Sequence, residues 1–374
     1  MRNAFCIMAL AAALCAPAGL YADSVSANGA VDASQTRAAW MSGKFGVMVH
    51  WLFLKYDGGD SGKINEIADA FDLDAFMRDF DATGAEWLIF TIGQNTGAYA
   101  SPNAALEKYC GPGHTSKRDI VLEIAKEVKK RGKKFIAYLP CEVRGNKSVR
   151  EGFAWNDDTA DPKAEFQKRY TEVVREWALR LGANCDGWWF DGCYDYVFAN
   201  GLDWDLWRSA YCAGNPNAIA TFNPGIVRDS GFKVGSQRRP DTAHPVMPDH
   251  DYLAGEVVVL VDGKIRFSLK DNSKTFMPFS AVVPGTRCLY HALLPIDSFW
   301  GGYSPWPKWV NAPFKELKSR VPGKIQDPVY SREELYPFYR DFAGVGGAVT
   351  FNLGITADGR LSAPSVELVR SLKK

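Results

Sequence analysis

The sequence predicts an α/β fold: a (β/α)8 TIM-like barrel forming a single domain, with a small β-hairpin insertion. Three observations predict it. Short apolar runs alternate with amphipathic helical segments from about residue 45 to the end of the chain, the pattern of parallel strands joined by right-handed crossovers. No glycine-rich phosphate fingerprint interrupts the alternation, as an open dinucleotide-binding sheet would have. The apolar runs end on His50, Gln94, Asp191 and Asn223, and polar residues at the strand ends of a barrel share one mouth.

The organising run is 187–192, GWWFDG, a fully buried apolar strand that stops on a carboxylate and a glycine. The plain alternative is an aspartate that caps the turn after the strand. The first strand is 45–51 and the second 86–93. Between them, segment 71–80 carries Phe71, Ala75, Phe76 and Phe80 on one helical face, with Asp72 or Asp74 in its first turn and Gly84 beyond its end. A strong helix over 119–132 ends on glycine and leads into the third strand, 134–140. The amphipathic helix 164–181 leads into the central strand. Segment 204–213 is helical and 218–223 is the fifth strand. Residues 226–290 are less regular. Two apolar runs, 256–262 and 264–269, meet at Asp262-Gly263, a hairpin signal. Strand seven falls at 288–293, a long Pro-, Gly- and Trp-rich loop at 295–330, helices at 332–343 and 364–372, and strand eight at 348–354. No internal repeat and no interdomain linker is visible.

The 374 residues hold 44 Lys+Arg against 43 Asp+Glu with no long charged block, so no nucleic-acid partner is expected. Arg2 followed by the apolar run 5–20 reads as a signal peptide over 1–22, cleaved before Asp23; the run is too short for a membrane span. Residues 23–39 read as a disordered leader and 40–374 as the barrel domain, in a periplasmic or secreted protein. Outside the signal lie Cys110, Cys141, Cys185, Cys193, Cys212 and Cys288. An oxidising compartment permits disulfides, and six cysteines allow fifteen pairings. Cys185 and Cys193 flank an extended strand, which holds them roughly 20 Å apart and rules out that pair. Five scattered histidines and no Cys-x-x-Cys give no expectation of a metal, and no cofactor is expected. Twelve Trp, fifteen Tyr and twenty-two Phe supply faces suited to sugar rings, though most belong to the core.

Several patches, in order along the chain, resemble glycoside hydrolase family 29, the α-L-fucosidases: KFGVMVHW at 44–51, KRDIV at 117–121 with KFIAY at 134–138, WFDG at 189–192, DSFWGGY at 297–303 and GGAVTFNLGITADG at 346–359. The sequence departs from the family at the second strand, where GQNTG at 93–97 replaces a His-His-Asp-Gly-Phe segment whose histidines bind fucose hydroxyls. The β-sandwich common after the family's barrel is not expected.

The resemblance implies a retaining glycosidase acting on an oligosaccharide or glycoconjugate. Such an enzyme needs two carboxyl groups about 5–5.5 Å apart. Asp191 is the implied nucleophile. Glu256, in a stretch similar to the family's Asp-Tyr/Phe-x-x-Pro-Glu, is the candidate acid/base, with Asp249 and Asp251 as rivals; its pKa would have to be raised. His50 is implied to hydrogen-bond the sugar, or is a satisfied core histidine. Gln94 and Asn95 stand where the family has histidines and offer amide donors and acceptors. Trp51, Trp189 and Trp300 are candidate apolar walls or plain core. Glu66 and Glu142, which follow strands one and three, are candidates to reach sugar hydroxyls or are solvated loop residues. Asn352 and Asp358 read as structural. The alternative of another class is a glycan-binding barrel without turnover.

Overall fold

The computed structural model describes residues 31–51, 61–225, 250–256, 259–261, 264–266, 278, 280–297, 325 and 327–373. The expected signal peptide, Asp249, Trp300 and most of the 295–330 loop lie outside them.

The described chain runs β1 (Phe45–Val49), α1 (Ser61–Asp69), α2 (Leu73–Thr83), β2 (Trp87–Thr91), α3 (Ala104–Cys110), α4 (Ile120–Lys130), β3 (Lys134–Pro140), α5 (Lys147–Gly152), α6 (Ala164–Leu181), β4 (Gly187–Asp191), α7 (Trp204–Tyr211), β5 (Ile219–Phe222), β6 (Val259–Val261), β7 (Lys264–Arg266), β8 (His291–Pro295), α8 (Arg332–Gly344), β9 (Ala348–Leu353) and α9 (Ala363–Ser371). Seven strands form one parallel sheet in the order β5-β4-β3-β2-β1-β9-β8. The sheet is curled and consistent with a TIM-like barrel. Irregular backbone bridges its two edges. Asp251 N donates to Ala220 O at 3.2 Å on the β5 side; Leu253 N donates to Leu289 O at 3.0 Å and Leu293 N to Gly255 O at 2.7 Å on the β8 side. The hairpin expectation meets an antiparallel β6–β7 pair; its turn lies outside the described residues.

Local chemistry sets the helix starts and stops. Asp72 accepts from Ala75 N at 2.9 Å, and Gly84 ends α2 at φ 71, the left-handed conformation that favours glycine. Asp119 accepts from Leu122 N at 3.1 Å and starts α4. Helix α6 spans the residues that its periodicity predicts. Helices α1, α3 and α5 are not among the sequence expectations; α3 and α5, of 7 and 6 residues, are too short for a 3.6-residue period to stand out. Asn103 and Asn146 cap the last two.

Strand alternation divides the core in two. Val47, Val49, Leu88, Phe90, Ala137, Leu139, Trp188 and Phe190 face the surrounding helices. Met48, Trp87, Ile89, Ile136, Tyr138, Trp189, Ile219 and Leu293 fill the interior. Trp87 fits there because Gly46 has no side chain: a Cβ at Gly46 would lie 2.1 Å from the indole nitrogen. The indole crosses from β2 over β1 to donate to Thr350 Oγ1 on β9 at 2.9 Å.

Two expectations are corrected. Residues 33–39, assigned to a disordered leader, form part of the fold. Two 3-10 turns, Ala33–Gln35 and Ala39–Met41, bring Ala38, Trp40 and Met41 against the interior cluster, with Trp40 edge-on to Trp87 at 5.9 Å. Arg37 donates to Ala218 O at 2.6 Å and pairs with Asp251 at 3.3 Å. An apolar interior left open would cost hydrophobic burial, and this short polar-looking segment covers it. The strand expected at 288–293 instead spans His291–Pro295, because Leu289 is used in bridges to Tyr252 and Val282. The six described cysteines form no disulfide.

Candidate active site

Asp191 ends β4, and Gly192 turns the chain at φ 85. The glycine is needed twice over: a Cβ there would lie 2.6 Å from Glu142 Cγ. Because side chains alternate along a strand, Asp191 points to the interior face directly above Trp189.

Two amide side chains converge on Asp191. Gln94 Nε2 donates to Asp191 Oδ2 at 3.2 Å and also to the Tyr138 hydroxyl. Gln94 Oε1 accepts from Asn95 N at 2.8 Å, which orients the amide so that its hydrogens face the carboxylate. Asn223, just past β5, donates through Nδ2 to Asp191 Oδ1 at 2.6 Å and to Glu256 Oε1 at 2.8 Å; its own Oδ1 accepts from Gly225 N at 3.0 Å. One amide nitrogen therefore ties the two carboxylates together. Glu256 is held in place by the bridge of its backbone to Leu293.

The electrostatics separate the two acids. Burial, and then the charge of Asp191, push the Glu256 carboxyl up to about 8, against the Asn223 hydrogen bond that favours its charged form. Glu256 thus holds a proton at neutral pH. Burial and the Asp191 charge likewise keep the Tyr138 phenol protonated, well above its ordinary value.

His50 Nδ1 donates to Asn352 Oδ1 at 2.8 Å. An amide oxygen only accepts, so this bond fixes the tautomer and leaves Nε2 as the lone-pair nitrogen. Burial lowers the His50 pKa, opposed by the Asn352 bond and by Asp191. Its ring lies edge-on to Tyr138 at 5.0 Å, so His50, Tyr138, Gln94 and Asp191 form one contiguous group. Glu142 is buried beside Gly192. One of its oxygens accepts from Asn95 Nδ2 and the other from Arg144 N at 2.7 Å and Arg144 Nε at 3.1 Å.

Other predicted residues stand elsewhere. Trp51 departs from the sugar-wall expectation: it shares the outward parity of Val47 and Val49, packs on Phe71 at 4.9 Å and donates to Ala357 O at 3.0 Å. Trp189 is interior but fully buried, in the layer beneath Asp191, so it forms floor and not wall. Glu66 is exposed on α1, and among the described residues no polar contact links it to the Asp191 group. Asp251 is occupied by Arg37 and by Ala220 N at 2.8 Å. Trp300 lies outside the described residues. Tyr138 and Asn223 are additions. Asn223 ends its strand on a polar residue just as Asp191 does, which was the available signal; Tyr138 sits mid-strand and only the inward parity of β3 exposes its role. Among the described residues no group of three or more His, Cys, Asp or Glu side chains is placed to hold a metal ion, and no helix is long and apolar enough to cross a membrane.

No protein-family model matches the sequence, and no curated protein matches it. Solved structures match its fold. An endo-fucoidan hydrolase from glycoside hydrolase family 107 superposes with a TM-score of 0.57 at 15% identity, over 90% of this chain and 92% of its own. A second from that family gives 0.62 at 16% identity, over 91% of this chain and 53% of its own, so this chain spans about half its length. The α-L-fucosidase isoenzyme 1 from Paenibacillus thiaminolyticus gives 0.56 at 15% identity, over 91% and 75%. At such identities the likeness is one of fold.

Proposed function

We propose that the chain is an exported, retaining exo-glycosidase of the α-L-fucosidase type, akin to glycoside hydrolase family 29 and built on a full (β/α)8 barrel. It would act on a terminal α-L-fucoside, or a related sugar, of an oligosaccharide or glycoconjugate. The observation that carries this reading is the pairing of Asp191 with Glu256 through Asn223. Two oxygens bound to one nitrogen at 2.6 and 2.8 Å lie no more than about 5.4 Å apart. Double displacement needs carboxyl groups about 5–5.5 Å apart, whereas inversion needs about 6.5–9.5 Å to admit a water.

In this mechanism Asp191 attacks the anomeric carbon as Glu256 passes its proton to the departing oxygen. Glu256, now ionised, takes a proton from water, which attacks the glycosyl–Asp191 ester and releases the sugar with its configuration retained. The amide of Gln94 and the shared amide of Asn223 hold Asp191 in line. His50, beside Tyr138, is placed to hydrogen-bond the sugar. The fold neighbours include proteins described as fucoidan hydrolases and α-L-fucosidases, which supports a fucose-containing substrate. The charged n-region and apolar run of residues 1–22 support export. Binding without turnover is the competing reading, and a second carboxyl beside Asp191 weighs against it.

A screen of aryl glycosides, with Asp191→Asn as the blank, tests the proposal. Turnover on an α-L-fucoside or a related sugar that vanishes in the variant is expected; a rate unchanged by Asp191→Asn would overturn it. Gln94 and Asn95 are tied to Asp191 and Glu142, so the site differs from one with histidines facing the sugar. Simple aryl α-L-fucosides are expected to be poor substrates, below a kcat/KM of about 10⁴ M⁻¹s⁻¹, with better turnover on a related or extended glycan.

A further inference from the structure

The strand that delivers Asp191 continues directly into an aromatic stack that the mechanism above does not use. Tyr194 and Tyr196 lie face to face, ring centres 5.0 Å apart and 8° from parallel. Tyr194 is half-buried, and Asp191 is the foremost cause of its phenol remaining protonated, followed by burial and Glu256. Tyr196 is 51% exposed. The stack therefore leads from the carboxylate pair out to solvent.

Arg144 fixes this arrangement to the site. Its guanidinium carbon is 5.8 Å from the Tyr194 ring centre and 5.6 Å from that of Tyr196. Near-equal distances put it beside the stack, leaving the outer face of Tyr196 uncapped by the guanidinium. The same side chain is anchored to Glu142 at 3.1 Å, and Glu142 abuts Gly192. A flat aromatic face at the edge of a polar site fits the C–H face of a pyranose, and a flanking guanidinium offers donors to its hydroxyls.

We infer that Tyr194, Tyr196 and Arg144 form a subsite for a second sugar, the one adjoining the sugar held at Asp191, so that the ligand is an oligosaccharide. The inference rests on the glycosidase reading for the sugar at Asp191. It accounts for an exposed tyrosine held parallel to a second one at the edge of the carboxylate pair.

The test is calorimetric binding of L-fucose and of fucoidan-derived di- to tetrasaccharides to the full chain carrying Asp191→Asn, with and without Tyr196→Ala. Tyr196 is exposed, so the substitution leaves the core intact, and the circular dichroism of both proteins should coincide. Tyr196→Ala should weaken oligosaccharide binding roughly three- to tenfold, the range for one lost ring stack, and change L-fucose binding less than about twofold. Equal losses for both ligands, or no loss for either, overturn the subsite while leaving the glycosidase reading standing. If none of these sugars binds before Tyr196 is changed, the subsite and the fucoside reading fall together.

Discussion

Asp191 and Glu256 share a single donor: Asn223 Nδ2 lies 2.6 Å from one carboxylate and 2.8 Å from the other. Two carboxylates this close cannot both ionise without cost. Glu256, the more buried of the two, keeps the proton.

Removing the charge at Asp191 should remove the reaction. Asp191→Asn preserves shape and keeps an acceptor for Gln94, yet leaves no nucleophile. A fall in kcat of about 10⁴-fold or more is expected, measured on whichever glycoside the wild-type protein cleaves best. Asp191→Ala should also abolish turnover, whereas Gln94→Ala should lower it less and shift the preferred sugar.

Glu256 should set the alkaline limb of the pH profile. Its folded pKa of about 8 exceeds the ordinary 4.5, so kcat/KM should fall as pH rises through about 8. Glu256→Gln should lose the limb along with about 10²–10⁴-fold of the rate.

The same shift has a stability sign. Below 4.5 the carboxyl is neutral in both folded and unfolded chains and contributes nothing. Between 4.5 and about 8 the unfolded chain gives up the proton that the folded chain retains, so stability declines over that window and levels off above it. Glu256→Gln should therefore leave Tm unchanged near pH 4 and raise it near pH 9, read by thermal melts across the range. A Tm gain largest at acid pH would contradict the assignment.

Asn223 is the positioning residue. Its bond favours the charged form of Glu256, so Asn223→Ala should move the alkaline limb upward while lowering kcat roughly 10–100-fold. A residue of purely structural importance would lower the amount of folded enzyme without moving the limb.

Gly46 should tolerate nothing larger. A methyl group there meets the Trp87 indole at 2.1 Å and breaks its bond to Thr350. Gly46→Ala should cost about 3 kcal/mol or more in a denaturant titration.

The sequence by itself determined the alternation of strands and helices, the glycine ends of the helices at Gly84 and Gly132, and the strand-end position of Asp191. These are local: each rests on a period, a capping residue or a turn within a few residues. It also marked His50, Gln94, Asn95, Glu142 and Glu256, all of which the fold brings to the site. Only the tertiary structure decided what each one touches. Trp51 faces the helix layer because one step of strand parity separates it from His50, and Glu66 is exposed on α1. Asn223 joins carboxylates 32 residues before it and 33 after it, across irregular backbone that bridges β5 to β8. No local pattern encodes such a contact, since it arises only when the curled sheet brings its two edges together. The raised pKa of Glu256 has the same origin: it needs burial and a second charge at once, and both are supplied by residues distant in the chain.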